Sequence, residues 1–225
     1  MIQKTLEEEK WKFLVIDDHE LLISGTIDIL QKQYPNAEIL TAQTAQDSLK
    51  QIENFSPEVI IMDLSIPEQT GGMARPEVGL QLLKNFMKKY PEINFVVQSA
   101  HARTLVRIKQ EIDSHKGGFT VADKSLSSQE MLTRVNWALQ GLTHTKDIKS
   151  IQVILEFKPE WLKVLELAFQ EGLQDKAIAD RLNVSERMVR HYWNKVQDAL
   201  NVYPEEGKNI RIQTEMRARE EGLID

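Results

Sequence analysis

Apolar residues along the first 143 positions fall into short continuous runs separated by longer amphipathic stretches. Phe13-Leu14-Val15-Ile16, residues 38–42, Val59-Ile60-Ile61-Met62, residues 94–99 and residues 117–122 read as strands. Runs of large apolar residues with no alternation suit strands buried on both faces of a parallel sheet. Between them, residues 20–33, 47–53, 78–90, 104–112 and 129–142 carry apolar positions at helical spacing. Tyr34-Pro35 and Pro91 stop two of these helices, and Ser127 with Glu130 forms a capping box for the last. Five such units in succession predict an α/β fold, a doubly wound parallel five-stranded sheet of flavodoxin-like type.

The pattern changes after residue 143. Residues 144–158 are polar at first, with Thr145-Lys146-Asp147, then apolar from Ile151 to Phe157, and read as a linker with a short docking segment. From Pro159 onward every strand signal is lost. Helices are predicted over 159–169, 175–182, 185–200 and 211–221, with Gly172 closing the first and Asn183-Val184-Ser185 making a tight turn. In the third of these, Met188, Val189, Val196 and Leu200 form the predicted buried stripe, and Tyr192 turns partly inward. Ser185 is its N-cap, and Arg187, Arg190, His191, Asn194 and Lys195 share its outer face. Two helices joined by a short turn, the second with basic and amide groups outside, describe a helix-turn-helix. The predicted domains are therefore 1–143, a linker at 144–158, and an all-α domain at 159–225.

Charge qualifies this picture. The chain carries a formal net charge of −6, and residues 156–225 are net −3, which counts against DNA by the usual test. Residues 185–196 alone are net +2 and point the other way. The 41 % hydrophobic and 28 % charged residues are ordinary soluble values. No run approaches a membrane span, and the first ten residues are too polar for a signal peptide, so a cytoplasmic address with no membrane partner is expected. With no cysteine, thiolate chemistry of every kind is excluded.

The candidate chemistry sits at strand ends. The first strand stops at Asp17-Asp18 and the third at Asp63. In a doubly wound sheet those ends converge, together with Ser99 after the fourth strand and Lys124 after the fifth. Two carboxylates roughly 4 Å apart repel by about 4 kcal/mol at an effective dielectric near 20, so the cluster calls for a cation or another compensating reason. Asp63 is then an acceptor carboxylate for a phosphoryl group, Lys124 a fixed positive donor to its oxygens, and Ser99 a hydroxyl donor. The bland alternative is that each acid caps a helix, Lys124 is a surface lysine and Ser99 a strand-end cap.

Leu14-Val15-Ile16-Asp17-Asp18-His19-Glu20-Leu21 with Gly25, Asp63-Leu64-Ser65-Ile66-Pro67, Ser99-Ala100 and Lys124 resemble the receiver domain of two-component response regulators, and the NarL/FixJ branch in particular. The resemblance implies phosphorylation of Asp63 by a sensor histidine kinase. It also implies Mg2+ held by Asp18, Asp63 and the Ser65 carbonyl, with Asp17 acting through water, and no enzyme in the metabolic sense. Leu165, Gly172-Leu173, Lys176-Ala177-Ile178-Ala179, Val189-Arg190 and Gly222-Leu223-Ile224 are similar to the LuxR/GerE-type DNA-binding domain. That similarity implies double-stranded DNA as partner, read by Ser185, Arg187, Arg190, His191, Asn194 and Lys195, and a homodimer paired through the final helix when active. A protein-interaction module, binding protein through its acidic helical domain, is the alternative.

Three departures stand out. Residues 68–78 insert a glycine- and proline-marked loop before Gly79, either shielding the phosphoryl group or contacting a partner, or simply tolerated at the surface. Val121 stands where the family carries a switch aromatic, with Phe119 two positions earlier on the same strand face. In the helical domain Tyr192 takes the place of the usual helix histidine, with His191 just before it.

Overall fold

The computed structural model describes residues 10–144 and 157–224. The expected linker at Thr145-Lys146-Asp147 and most of the docking segment lie outside those residues. The chain divides into two compact units, residues 1–102 with 108–148, and residues 103–107 with 149–225.

The first unit is built on a parallel sheet of β1 (Lys12–Ile16), β2 (Glu38–Ala42), β3 (Val59–Met62), β4 (Asn94–Gln98), β5 (Phe119–Ala122) and β6 (Thr143–His144), in the order β2-β1-β3-β4-β5-β6. Phe13 to Ile16 and Val59 to Met62 are at most 2 % exposed, as two-sided burial of continuous apolar runs demands. Helices α1 (Glu20–Gln33) and α5 (Ser128–Leu139) pack together on one face. There Ile23, Leu30, Met131 and Val135 close over Phe13, Val15, Ile61 and Val96. Helices α2 (Ala45–Phe55), α3 (Pro76–Lys89) and α4 (Lys109–Ser114) form a second row.

Two local differences from expectation have physical causes. The sheet has a sixth strand, where five were predicted. Gly141, at φ +73, turns the chain out of α5 so that the Leu142 carbonyl accepts from the Phe119 N–H and Thr143 pairs with Phe119. A two-residue strand is too short for a periodicity to reveal. The helix expected over 104–112 begins instead as a 3-10 helix, Ala102–Ile108, and becomes α-helical only in α4. Thr104, Val106 and Ile108 are β-branched and crowd the preceding turn of an α-helix.

Gly79 is required by packing. A Cβ there would lie 2.0 Å from the Leu64 carbonyl oxygen, so α3 rests its backbone directly on the chain leaving β3.

The second unit contains α6 (Pro159–Phe169), α7 (Asp175–Leu182), α8 (Glu186–Leu200) and α9 (Ile210–Glu220). Asn183 takes the left-handed conformation at φ 54 and begins the turn into α8, whose N-cap Ser185 accepts from the Met188 N–H. The buried stripe of α8 is Val189, Trp193, Val196 and Leu200, and Met188 lies outside it. Spacings of four, three and four hold one face of a helix, whereas residue 188 sits about 100° away from its neighbour. Trp193 was missing from the predicted stripe, yet it is the largest fully buried side chain. Tyr192 is half-buried against the same core, as expected.

Candidate functional site

Register brings the acids together. Ile16 pairs with Met62, Met62 with Val97, and Gln98 with Ala122, so the residues that follow these strands share one edge of the sheet. Backbone bonds extend the ladder past each strand. The Asp63 N–H donates to the Ile16 carbonyl at 2.8 Å, Asp17 to Ala42 at 3.2 Å, and Ser99 to Ala122 at 3.2 Å. The edge lies where strand order reverses, the crevice in which such sheets bind ligands.

Lys124 joins the two buried carboxylates. Its Nζ donates to Asp63 Oδ2 at 2.8 Å and to Asp17 Oδ2 at 2.9 Å. Burial works to lower the Lys124 pKa, but the hydrogen bonds to Asp63 and Asp17 outweigh it and hold the ammonium above its ordinary value. Asp63 is 3 % exposed and Asp17 6 %. One ammonium therefore faces three carboxylates, counting Asp18. Asp63 Oδ1 and Asp18 Oδ1 are buried without a hydrogen-bond partner among the described residues. Buried acceptors left open in this way are what a cation completes.

His19 stands at the rim of this cluster. Its Nδ1 lies 2.6 Å from Asp18 Oδ1 and 3.1 Å from Asp17 Oδ1, and only the second contact has hydrogen-bond geometry. Its backbone N–H also donates to Asp17 Oδ1 at 2.9 Å. Ligand atoms of Asp17, Asp18 and His19 all fall within 4.8 Å of one another. His19 is not among the ligands expected from the sequence. The available signal was an imidazole directly after two acids, a mixed nitrogen and oxygen donor set.

Ser99 is fully buried, and its Oγ accepts from the His101 N–H at 3.1 Å. Ser65 is half-buried, two residues past Asp63. Phe119 is wholly buried beside Phe95, and Val121 shares its side of β5. The inserted loop is anchored at both ends. Arg75 pairs with Ile66 across an isolated bridge, while the Ala45 and Gln46 N–H groups at the start of α2 donate to Pro67 and Glu68 at 3.0 Å.

In the second unit Ser185, Arg187, Arg190, His191, Asn194 and Lys195 are all exposed. All of them except Lys195 line one shallow concavity together with Met188. Arg190 lies 3.9 Å from Glu186 and Lys195 3.9 Å from Asp198, both too far for a firm bond. Behind this face α8 is locked in place. The Trp193 indole N–H donates to Asp175 Oδ1 at 3.0 Å, and Arg211 donates to both Asp175 oxygens while its guanidinium stacks 3.6 Å from the indole ring. No linear pattern points to this triad, because its members are 18 and 36 residues apart.

A family model described as the response regulator receiver domain matches residues 13–136, more than half of the chain. The protein belongs to the response regulator family. This regulator is 18 % identical to the transcriptional regulatory protein DegU of Brevibacillus brevis, with 99 % of each chain covered. It is 23 % identical to the transcriptional regulatory protein ComA of Bacillus subtilis (strain 168), over 95 % of this chain and 99 % of ComA. Among solved structures it resembles the two-component response regulator RcsB in a complex with DNA, at a TM-score of 0.59 and 18 % identity, covering 94 % of this chain and 98 % of RcsB. RcsB from Salmonella enterica serovar Typhimurium, bound to promoter rprA with the phosphomimetic BeF3-, gives 0.54 at 16 % identity over 93 % and 99 % of the two chains. The regulator is thus of the NarL/FixJ two-component type, a receiver followed by a helix-turn-helix unit.

Proposed function

We propose that Asp63 accepts a phosphoryl group from a sensor histidine kinase and that this event switches sequence-specific binding of double-stranded DNA by α8. The observation that carries the reading is the Lys124 bridge between Asp63 and Asp17, which leaves Asp63 Oδ1 open and buried. Asp63 attacks phosphorus through a carboxylate oxygen, and the bond from phosphorus to the donor nitrogen or oxygen breaks, its electron pair leaving with the donor. The Lys124 ammonium is placed to release its Asp63 contact and take up a phosphoryl oxygen, and the Ser99 hydroxyl to donate to another.

Asp18, Asp63 and the Ser65 carbonyl would hold Mg2+, with Asp17 acting through water, in keeping with the open oxygens of Asp18 and Asp63. When bound, the ion supplies charge neutralisation to the three carboxylates and the phosphoryl oxygens. The regulator carries out no metabolic reaction and works in the cytoplasm. No described helix is long and apolar enough to cross a membrane.

For DNA, Arg187, Arg190, His191 and Asn194 face base edges in the major groove, Ser185 and Lys195 face phosphates, and α9 pairs two protomers. Ile212 and Met216, 57 % and 59 % exposed one turn apart on α9, suit that pairing. The relatives named for transcriptional regulation and the RcsB–DNA complex support this reading. Acetyl phosphate treatment followed by mass spectrometry tests the first step. Wild-type protein gains one phosphoryl group in the presence of Mg2+ and none without it; an unchanged mass in both overturns the proposal.

A further inference from the structure

We infer that His19 is a metal ligand, giving the acidic site a nitrogen donor and a preference for late transition ions such as Zn2+ and Co2+ over Mg2+. The inference rests on the cation site proposed above and adds to it one residue and one selectivity.

The first support is spacing. Two ligand atoms bound at about 2.1 Å to one octahedral ion sit about 3.0 Å apart in neighbouring positions. The His19 Nδ1 atom lies 2.6 Å from Asp18 Oδ1, a few tenths of an ångström short of that value, and the ligand atoms of Asp17, Asp18 and His19 fall within 4.8 Å of one another. A second support is Asp63 Oδ1, a buried oxygen with no hydrogen-bond partner among the described residues. Asp63 is 3 % exposed, so this oxygen is shielded from solvent. The third is backbone anchorage. His19 is the N-cap of α1 with no side-chain capping bond, so its ring serves no helix terminus, while its N–H holds Asp17 in place. With 63 % of its side chain exposed, the ring can adjust by a few tenths of an ångström without disturbing packing.

Donor chemistry then sets the choice of ion. Mg2+ takes oxygen ligands and keeps its waters, and gains little from an imidazole. Zn2+ and Co2+ bind imidazole well, and their affinities at nitrogen-containing sites exceed those of the earlier divalent ions. A receiver with three carboxylates and one imidazole therefore responds to two classes of ion, and its phosphorylation becomes sensitive to transition-metal supply.

The test uses full-length regulator with 15N-labelled histidine, titrated separately with Zn2+ and Mg2+ and followed by NMR and calorimetry. Zn2+ should shift the Nδ1 resonance of His19, assigned by its absence in His19→Ala, and Mg2+ should leave it in place. His19→Ala should weaken Zn2+ binding about tenfold or more and alter Mg2+ binding less than about twofold. An unmoved Nδ1 resonance at a saturated site overturns the inference, as does an equal loss for both ions. Asp18→Asn should lose both ions. If the wild type binds neither ion and acetyl phosphate leaves its mass unchanged, the cation site itself is refuted, and the role of His19 with it.

Discussion

The two functional faces of this regulator are built in opposite ways. At the sheet edge Asp63 is buried, its backbone is tied to Ile16, and its oxygen is held by Lys124. On α8 the outward residues are exposed, held by nothing firmer than the Ser185 cap and two long ion pairs, and what fixes the helix lies on its other side, in Trp193, Asp175 and Arg211. A site that performs covalent chemistry needs its groups placed to within fractions of an ångström. A surface that reads DNA needs a rigid backbone carrying side chains that can still adapt. Rigidity is spent on the atoms themselves in the first case and on the scaffold in the second.

The sharpest way to break this contrast is Asp63→Asn. It should abolish phosphoryl uptake from acetyl phosphate completely, as read by mass spectrometry, while the chain stays folded. Retained labelling would move the acceptor elsewhere.

Next in size is Trp193→Ala on the inner side of α8. Removing a buried tryptophan typically costs about 3–5 kcal/mol, and the Asp175 and Arg211 pair loses its roof. Denaturant unfolding of the helical unit should show it. Arg190→Ala, on the outer side of the same helix, should leave that unfolding curve in place and cost about 1–3 kcal/mol of binding on a selected DNA site. Equal effects of the two substitutions on stability would erase the distinction between scaffold and reading face.

Shortening the inserted loop between Ile66 and Arg75 should change phosphoaspartate lifetime severalfold with little change in melting temperature, because its ends are already bridged. Equal lifetimes would make it a passive surface feature.

The smallest effect is one of pH. Burial lowers the His115 pKa, and its Nε2 contacts the Ile93 carbonyl at 2.8 Å. The unfolded chain therefore takes up a proton at a higher pH than the folded one. Stability from this residue is present above the ordinary histidine value and is lost as pH falls through it towards the lower folded value. Wild type should lose more melting temperature than His115→Asn between about pH 7.5 and pH 5.5. A matching loss in both would remove His115 from the account.

Much of the receiver was legible because its signals are long and redundant. The bounds of α1 and β2 agree with the periodicity, and three acids at two strand ends fall together. Other features were hidden for definite reasons. β6 pairs through two residues whose identity says nothing about strands. The 3-10 segment at 102–108 reflects crowding by β-branched side chains, which an apolar count cannot distinguish from helix. Met188 lies at the edge of the stripe that Val189, Trp193, Val196 and Leu200 form, and Trp193 completes its spacing. The Asp175–Arg211–Trp193 triad and the nearness of His19 to the acids depend on side-chain directions, which a linear pattern does not carry.

Gly79, pressed against Leu64, has a practical consequence for anyone wishing to instrument this regulator. It pins the start of α3, and the Ile66 to Arg75 bridge closes the connection that precedes that helix. Within the loop that this bridge closes, the chain passes Gly71, at φ +80, and Met73, 79 % exposed, close in sequence to Asp63 yet outside the packed core. A fluorophore or short reporter peptide grafted at residues 70–73 would sit on a tether with fixed ends, able to register what happens at Asp63 without entering the fold.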